Sequence, residues 1–176
     1  MIKNSTLHYS SESDIIRFQE ERLKETLEYV LHHSPFYKRM FKENNIDIRQ
    51  IKHLSDLHTL PVTTKEDLQK RNNEFICIDK ESIIDYVTTS GTLGEPVTFA
   101  LSNNDLDRLA YNEASSFTMA GCKKGDIIQL MTTIDRRFMA GLAYFLGARE
   151  LGCGIIRVGN GIPELQWDTI QRVSPN

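Results

Sequence analysis

Residues 88–96 read Thr-Thr-Ser-Gly-Thr-Leu-Gly-Glu-Pro, between two short β-branched and apolar runs at residues 83–89 and 97–101. Both runs predict β-strands, so the stretch between them is predicted to be a connecting loop. Glycines let a main chain turn its N–H groups toward an anion, and hydroxyl side chains add further donors. The composition suits a phosphate, although a Ser-, Thr- and Gly-rich segment between strands is also typical of a plain turn.

Downstream of this loop, helical and strand-like patterns alternate. The predicted order is helix, strand, helix and strand, over residues 103–120, 127–132, 138–151 and 155–158. Such alternation is typical of right-handed crossovers and a mostly parallel sheet with flanking helices. The sequence therefore predicts an α/β fold for this part of the chain.

Upstream of the loop, apolar positions recur at helical spacing. A first helix is predicted over residues 14–33 with Ser13 as its N-cap, and Ser34-Pro35 predicts the start of a second. Residues 60–68 offer another capping threonine with acidic residues in the first turn, which predicts the start of a third helix. We therefore expect residues 1–75 to form a mostly helical region.

These patterns divide the chain into two regions. Residues 1–75 are the helical region, and residues 76–176 are a partial α/β subdomain that contains the loop at residues 88–96. A chain of 176 residues is long enough to bury an apolar core without a metal or a disulfide.

Composition excludes several classes of function. The 21 Lys and Arg residues against 24 Asp and Glu leave a net charge of −3 without a basic block, so neither nucleic acid nor an anionic membrane is an expected partner. The longest apolar stretch is about half of what a bilayer requires, and no secretory signal is present. Three widely spaced cysteines, Cys77, Cys122 and Cys153, suit reduced thiols in a core. A cytoplasmic location is the expectation.

Several catalytic and metal motifs are missing. No Walker pattern occurs, Ser90 lacks a Gly-x-Ser-x-Gly frame, and the histidines have no metal-ligand spacing. Asp135-Arg136-Arg137 follows a predicted strand and could reach an anionic ligand at the carboxyl end of a sheet, the alternative being a solvated loop. We expect no metal site.

The loop at residues 88–96 resembles the phosphate loop of the adenylate-forming (acyl-CoA synthetase) superfamily. Residues 33–37, His-Ser-Pro-Phe-Tyr, and residues 60–68, Leu-Pro-Val-Thr-Thr-Lys-Glu-Asp-Leu, resemble two N-terminal signatures of its phenylacetate-CoA ligase branch. Residues 141–159 are similar to the segment that follows in that branch. The resemblance covers essentially the whole chain.

The resemblance implies the N-terminal portion of an adenylate-forming large domain. Family members are more than twice as long and continue into adenine- and ribose-binding motifs and a C-terminal domain with a lysine used in adenylation, none of which occurs here. The implied function is part of an ATP-dependent aryl- or acyl-CoA ligase, with ATP, Mg²⁺ and coenzyme A as co-substrates. We expect this chain to be inactive alone, without catalytic residues of its own.

The resemblance also implies particular site residues. The expected ATP phosphate-binding residues are Thr89, Ser90, Gly91, Thr92 and Gly94. Leu93 and Glu95 depart from the family pattern, where a hydroxyl residue and a lysine are frequent. Phe138 aligns near an aromatic residue that helps to line the acid pocket in this branch, and its alternative role is ordinary core packing.

Two further interpretations stay open. The chain could be a non-catalytic remnant, or a binding and oligomerisation module of the same fold. Within the superfamily, the acid could be other than phenylacetate and the acceptor other than coenzyme A. Because a partial sheet leaves an unpaired edge, a homodimer is also possible.

Overall fold

A computed structural model describes residues 10–89, 91 and 95–176 of the chain. The described residues form two compact units. The first, here called the helical unit, contains residues 10–80 and 95–97. The second, the α/β unit, contains residues 81–89, 91 and 98–176.

Three α-helices and several short 3₁₀ turns build the helical unit. The helices are α1 (Glu12–His33), α2 (Pro35–Glu43) and α3 (Lys65–Lys70), and the turns are Ile48–Gln50, Leu54–Thr59 and Asn72–Phe75. Leu27, Phe41 and Ile51 form its buried core. Phe36 is also buried and stacks on Phe75 with 4.1 Å between ring centroids.

Two of the three predicted helix starts are confirmed by their caps. Ser34 is 1% exposed; its hydroxyl accepts from the N–H of Tyr37 and donates to the carbonyl of Glu74 at 2.9 Å. Thr64 and Asp67 form a reciprocal capping box at the start of α3, with N···O distances of 3.1 and 2.9 Å. In both cases a side-chain oxygen satisfies an orphan donor of the first turn.

The predicted N-cap of α1 is wrong. The helix begins at Glu12, and Ser11 rather than Ser13 caps it, because the N–H of Asp14 donates to the Ser11 hydroxyl at 3.2 Å. Ser11 and Ser13 are chemically equivalent capping residues, so only the register of the first turn decides between them.

Four short strands and three helices build the α/β unit. In chain order they are β1 (Asp85–Thr88), β2 (Thr98–Leu101), α4 (Asn103–Met119), β3 (Ile127–Leu130), α5 (Met139–Leu151), β4 (Gly154–Arg157) and α6 (Pro163–Val173). Strands β3 and β4 pair in parallel through the α5 crossover, as the alternating pattern predicts. Helix α6 was not predicted.

Strands β1 and β2 pair antiparallel, with Thr88 opposite Thr98. Only the nine residues 89–97 join them. A parallel pair needs a crossover of a dozen or more residues, so this connection permits only the antiparallel arrangement. This antiparallel ribbon and the parallel β3–β4 pair are two separate two-stranded sheets.

The cysteines are less buried than the sequence predicts. Cys77, Cys122 and Cys153 are free thiols, and all three are only partly buried. Burial raises the pKa of the Cys77 thiol above its ordinary value. Within the described ranges, no helix combines the length and the apolar character needed to cross a bilayer.

Candidate functional site

The loop predicted to bind phosphate starts at the end of β1, where it contacts a second loop. The main-chain N–H of Thr88 donates to the carbonyl of Arg137 at 3.1 Å. Arg137 belongs to the segment between the carboxyl end of β3 and the start of α5. The hydrogen bond therefore holds two loops of the α/β unit side by side, both of which the sequence marks as candidates for anion binding.

Gly91 has a left-handed main chain, with φ of +67°. Only glycine adopts this conformation without a steric penalty, because a Cβ would approach the following carbonyl. A main chain that visits this region can turn successive N–H groups toward an anion. The structure thus gives a physical reason for a glycine at this point of the loop.

The structure describes two of the five expected phosphate-binding residues. Thr89 directly follows the end of β1, and Gly91 lies two residues further along the chain. The other three, Ser90, Thr92 and Gly94, lie outside the described residues, as does Leu93.

The far end of the loop belongs to the helical unit. The carbonyl of Glu95 accepts a hydrogen bond from the side-chain amide of Gln69, on α3. Val97 is only 2% exposed, whereas Glu95 is exposed to solvent. The main chain at Glu95 is thus anchored while its carboxylate stays hydrated.

Two consecutive arginines precede α5 in an unusual conformation. Arg136 and Arg137 have φ of +59° and +61°, and both are exposed. The Nε of Arg136 lies 4.0 Å from an oxygen of Asp135, whose other oxygen accepts from the Thr133 hydroxyl. No carboxylate in the described part of the chain forms an ion pair with Arg137. The loop therefore carries a net positive charge beside Thr88.

Gly141, in the first turn of α5, lets this loop pack closely. A Cβ at this position would lie 1.7 Å from the carbonyl oxygen of Thr133, which is far inside van der Waals contact. Sequence reasoning missed this residue. The available signal was a glycine in the first turn of an otherwise apolar helix, where alanine would favour helix formation.

Phe138 occupies the N-cap position of α5 and makes no side-chain capping bond. Its side chain is 43% exposed. The structure positions it directly after Arg137, on the loop that contacts Thr88.

Metal-ligating side chains do not converge here. Among the residues that the structure describes, no group of three or more His, Cys, Asp or Glu side chains comes close enough to hold an ion.

Curated proteins named phenylacetate-coenzyme A ligase are similar to this chain. The protein from Thermus thermophilus is 32% identical over 158 residues, which is 89% of this chain and 35% of the relative. The protein from Escherichia coli is 31% identical over 182 residues, which is 100% of this chain and 41% of the relative. No family model matches the sequence.

Solved structures of 2-hydroxyisobutyryl-CoA ligase have the same fold. The complex with 2-HIB-AMP and CoA in the thioesterification state superposes with a TM-score of 0.82 at 24% identity, over 92% of this chain and 35% of that one. An open conformation of the same ligase gives 0.80 at 23% identity, over 91% and 38%. These matches confirm the predicted α/β fold class.

The chain spans only 35% and 41% of the length of these two curated relatives. Sequence similarity nevertheless extends over nearly all of the chain, and the fold agrees with that of an acyl-CoA ligase. The resemblance found in the motifs is thus confirmed: over nearly all of its length the chain is similar to curated phenylacetate-coenzyme A ligases.

Proposed function

We propose that this chain is part of an ATP-dependent acid–CoA ligase and that the loop at residues 88–96 binds the phosphates of ATP. The observation that carries the proposal is the left-handed Gly91 at the end of β1, in a chain whose relatives are named as ligases. Because the chain spans about two fifths of those relatives or less, the ligation activity of the whole belongs to the proposal.

The proposed reaction has two steps. A carboxylate oxygen attacks the α-phosphorus of ATP, which forms an acyl-adenylate and releases pyrophosphate. The thiol of coenzyme A then attacks the acyl carbon, which forms the thioester and releases AMP and a proton. The structural neighbour was solved with an acyl-AMP and CoA, which supports this order for the family.

Within that reaction, the residues of this chain would act on the leaving group. Main-chain N–H groups around Gly91 and the hydroxyls of Thr89, Ser90 and Thr92 would hold the β- and γ-phosphates, and Gly94 would allow close approach. Fixed donors stabilise the charge that develops on pyrophosphate as it departs. The loop would therefore lower the barrier of the first step without contributing a nucleophile or a base.

Magnesium is part of the implied chemistry, because it would enter bound to the triphosphate. The described residues bring no carboxylate cluster to the loop. We therefore assign no residue of this chain to the metal and derive no step through it.

The acid, the partners and the organisation of the chain complete the proposal. The acid is a small-molecule carboxylate, aromatic by the resemblance, with Phe138 beside its pocket.

The boundary of the compact units near residue 80 supports a helical region followed by a partial α/β subdomain. Three free cysteines support a cytoplasmic location. Exposed Leu165, Trp167 and Val173 on α6 support a possible homodimer.

Calorimetric titration of the chain with ATP, and in parallel with adenosine, tests the proposed function. A phosphate loop makes the triphosphate the dominant part of binding, so ATP binds and adenosine binds much more weakly or not at all. Equal affinity for the two ligands, or no binding of ATP, contradicts the proposal and favours the non-catalytic module.

A further inference from the structure

The segment between β3 and α5 makes a tight turn, closed by a hydrogen bond of 3.2 Å from the N–H of Phe138 to the carbonyl of Asp135. Arg136 and Arg137 are both left-handed, at φ of +59° and +61°. Elsewhere in the described ranges, the non-glycine residues with positive φ are Asn45 and Ser174, and each of those is isolated. A β-carbon makes this conformation costly, and residues held in it by the surrounding structure cluster at functional sites.

The charge of this segment is nearly uncompensated. Arg136 has 84% of its side chain exposed and only a 4.0 Å approach to Asp135, itself 75% exposed. The first turn of α5 contains no acidic residue. Arg137 has no ion-pair partner among the residues that the structure describes. Two guanidinium groups are therefore available to an external anion.

The position of the segment connects that charge to the candidate site. It leaves the carboxyl end of β3, the edge at which open α/β sheets bind ligands. The carbonyl of Arg137 accepts from Thr88, so the arginine main chain is fixed beside the first residues of the loop. The main chain of Arg137 therefore contacts the loop, while its side chain stays exposed to solvent.

We propose that Arg136 and Arg137 form an oxyanion-binding arm of this site, which contacts a phosphate or carboxylate oxyanion of the substrate bound at the loop. The proposal rests on the proposed function and extends it to residues outside the phosphate loop. A guanidinium group presents planar paired donors that match either oxyanion. The arm would favour substrates with a negative group directly beside Thr88.

Titration with inorganic pyrophosphate, ATP and phenylacetate tests the arm. Arg137→Gln and Arg136→Gln should weaken the binding of the oxyanion that the arm contacts by roughly fivefold each, as for a partly solvated charge pair. Arg137→Lys keeps the charge and should recover part of the loss. Arg149→Gln is the matched control, because it removes an exposed arginine from the last turn of α5, at the other end of the helix that the arm precedes.

The probes separate the two sources of the oxyanion. Weaker binding of pyrophosphate and ATP, with phenylacetate unchanged, identifies a nucleotide phosphate as the ligand. Weaker binding of phenylacetate alone identifies the carboxylate of the acid. Circular dichroism of each variant excludes unfolding as the cause, and both results support the arm.

Two distinguishable results would contradict the proposed arm. If the wild-type chain binds ATP and both Arg→Gln variants match Arg149→Gln for every probe, the arm is wrong and the proposed function stands. If the wild-type chain binds neither pyrophosphate nor ATP, the proposed function fails and the arm fails with it.

Discussion

The main-chain N–H of Thr88 donates to the carbonyl oxygen of Arg137 across 3.1 Å, which joins the end of β1 to the loop before α5. Each of the two loops carries groups that can bind an anion. One contains Gly91 and hydroxyl residues, and the other contains two exposed arginines. Because this hydrogen bond connects the two loops, a substitution in the loop before α5 should also change anion binding at the phosphate loop.

Gly141→Ala tests the packing of that loop. The new Cβ would overlap the carbonyl oxygen of Thr133, and such overpacking costs about 1–3 kcal/mol of unfolding free energy. Urea denaturation measures the loss. Gly154→Ala is the control, since its Cβ would meet Ile127 at an ordinary 3.4 Å. Equal stability of the two variants would show that the loop does not pack on α5 in this way.

Asp67 predicts a specific dependence of stability on pH. Hydrogen bonds from the hydroxyl and N–H of Thr64 hold the pKa of Asp67 below its ordinary value. A depressed pKa contributes stability above the unfolded-state pKa of about 3.9, and this contribution is lost as pH falls through the folded-state value. An NMR titration should therefore give a pKa for Asp67 below about 3.9.

Asp67→Ala should remove this part of the acid sensitivity. The difference in unfolding midpoint between wild type and variant should shrink as pH falls from neutral to about one unit below the ordinary pKa. Glu66→Ala is the control, because it removes an acid from the same turn and leaves the capping box intact. A difference that stays constant with pH would be inconsistent with the capping role.

Glu95→Lys should strengthen ATP binding. The exposed carboxylate lies on the loop that would hold a triphosphate, and reversing its charge replaces repulsion by attraction. We expect about a two- to fivefold gain at low salt that fades at high salt. Glu81→Lys makes the same charge change at an exposed site outside the loop. Unchanged or weaker ATP binding relative to that control would count against the placement of the triphosphate.

Phe138→Ala separates a pocket role from a core role. With 43% of its surface exposed, Phe138 should cost less than about 1 kcal/mol of stability when truncated. Phe41→Ala is the contrast, because Phe41 is 3% exposed and its loss should cost about 3–5 kcal/mol. Phenylacetate titration should show weaker binding for Phe138→Ala. A stability loss like that of Phe41→Ala, with unchanged binding, would assign Phe138 to the core.

Local pattern accounts for what the sequence predicted correctly. Ser34-Pro35 and Thr64 cap helices because a capping hydroxyl acts within three residues, a distance at which sequence spacing determines geometry. The same reasoning fails at the start of α1, because the hydroxyl of Ser11 and that of Ser13 both fit the N-cap pattern. Helix α6 was missed, although Pro163 at its start is an available sequence signal.

Sequence reasoning predicted part of the candidate site. Gly91 was singled out for its main-chain freedom, and its positive φ agrees with that reason. The contact between Thr88 and Arg137 was not predictable, because it joins segments that are far apart in the chain and that adjoin strands of two separate sheets. The positive φ of Arg136 and Arg137 was likewise not predictable, because arginine does not favour this conformation.

The most direct test of the account is the pyrophosphate affinity of Gly91→Ala. A Cβ at Gly91 opposes the left-handed main chain at a cost of about 1–2 kcal/mol, so we expect about a five- to thirtyfold loss of affinity. Gly125→Ala is the matched control, because Gly125 is also left-handed, has open space around its Cβ and precedes the opposite end of β3. If Gly91→Ala binds pyrophosphate as tightly as Gly125→Ala does, the loop does not form the phosphate site and the central claim is wrong.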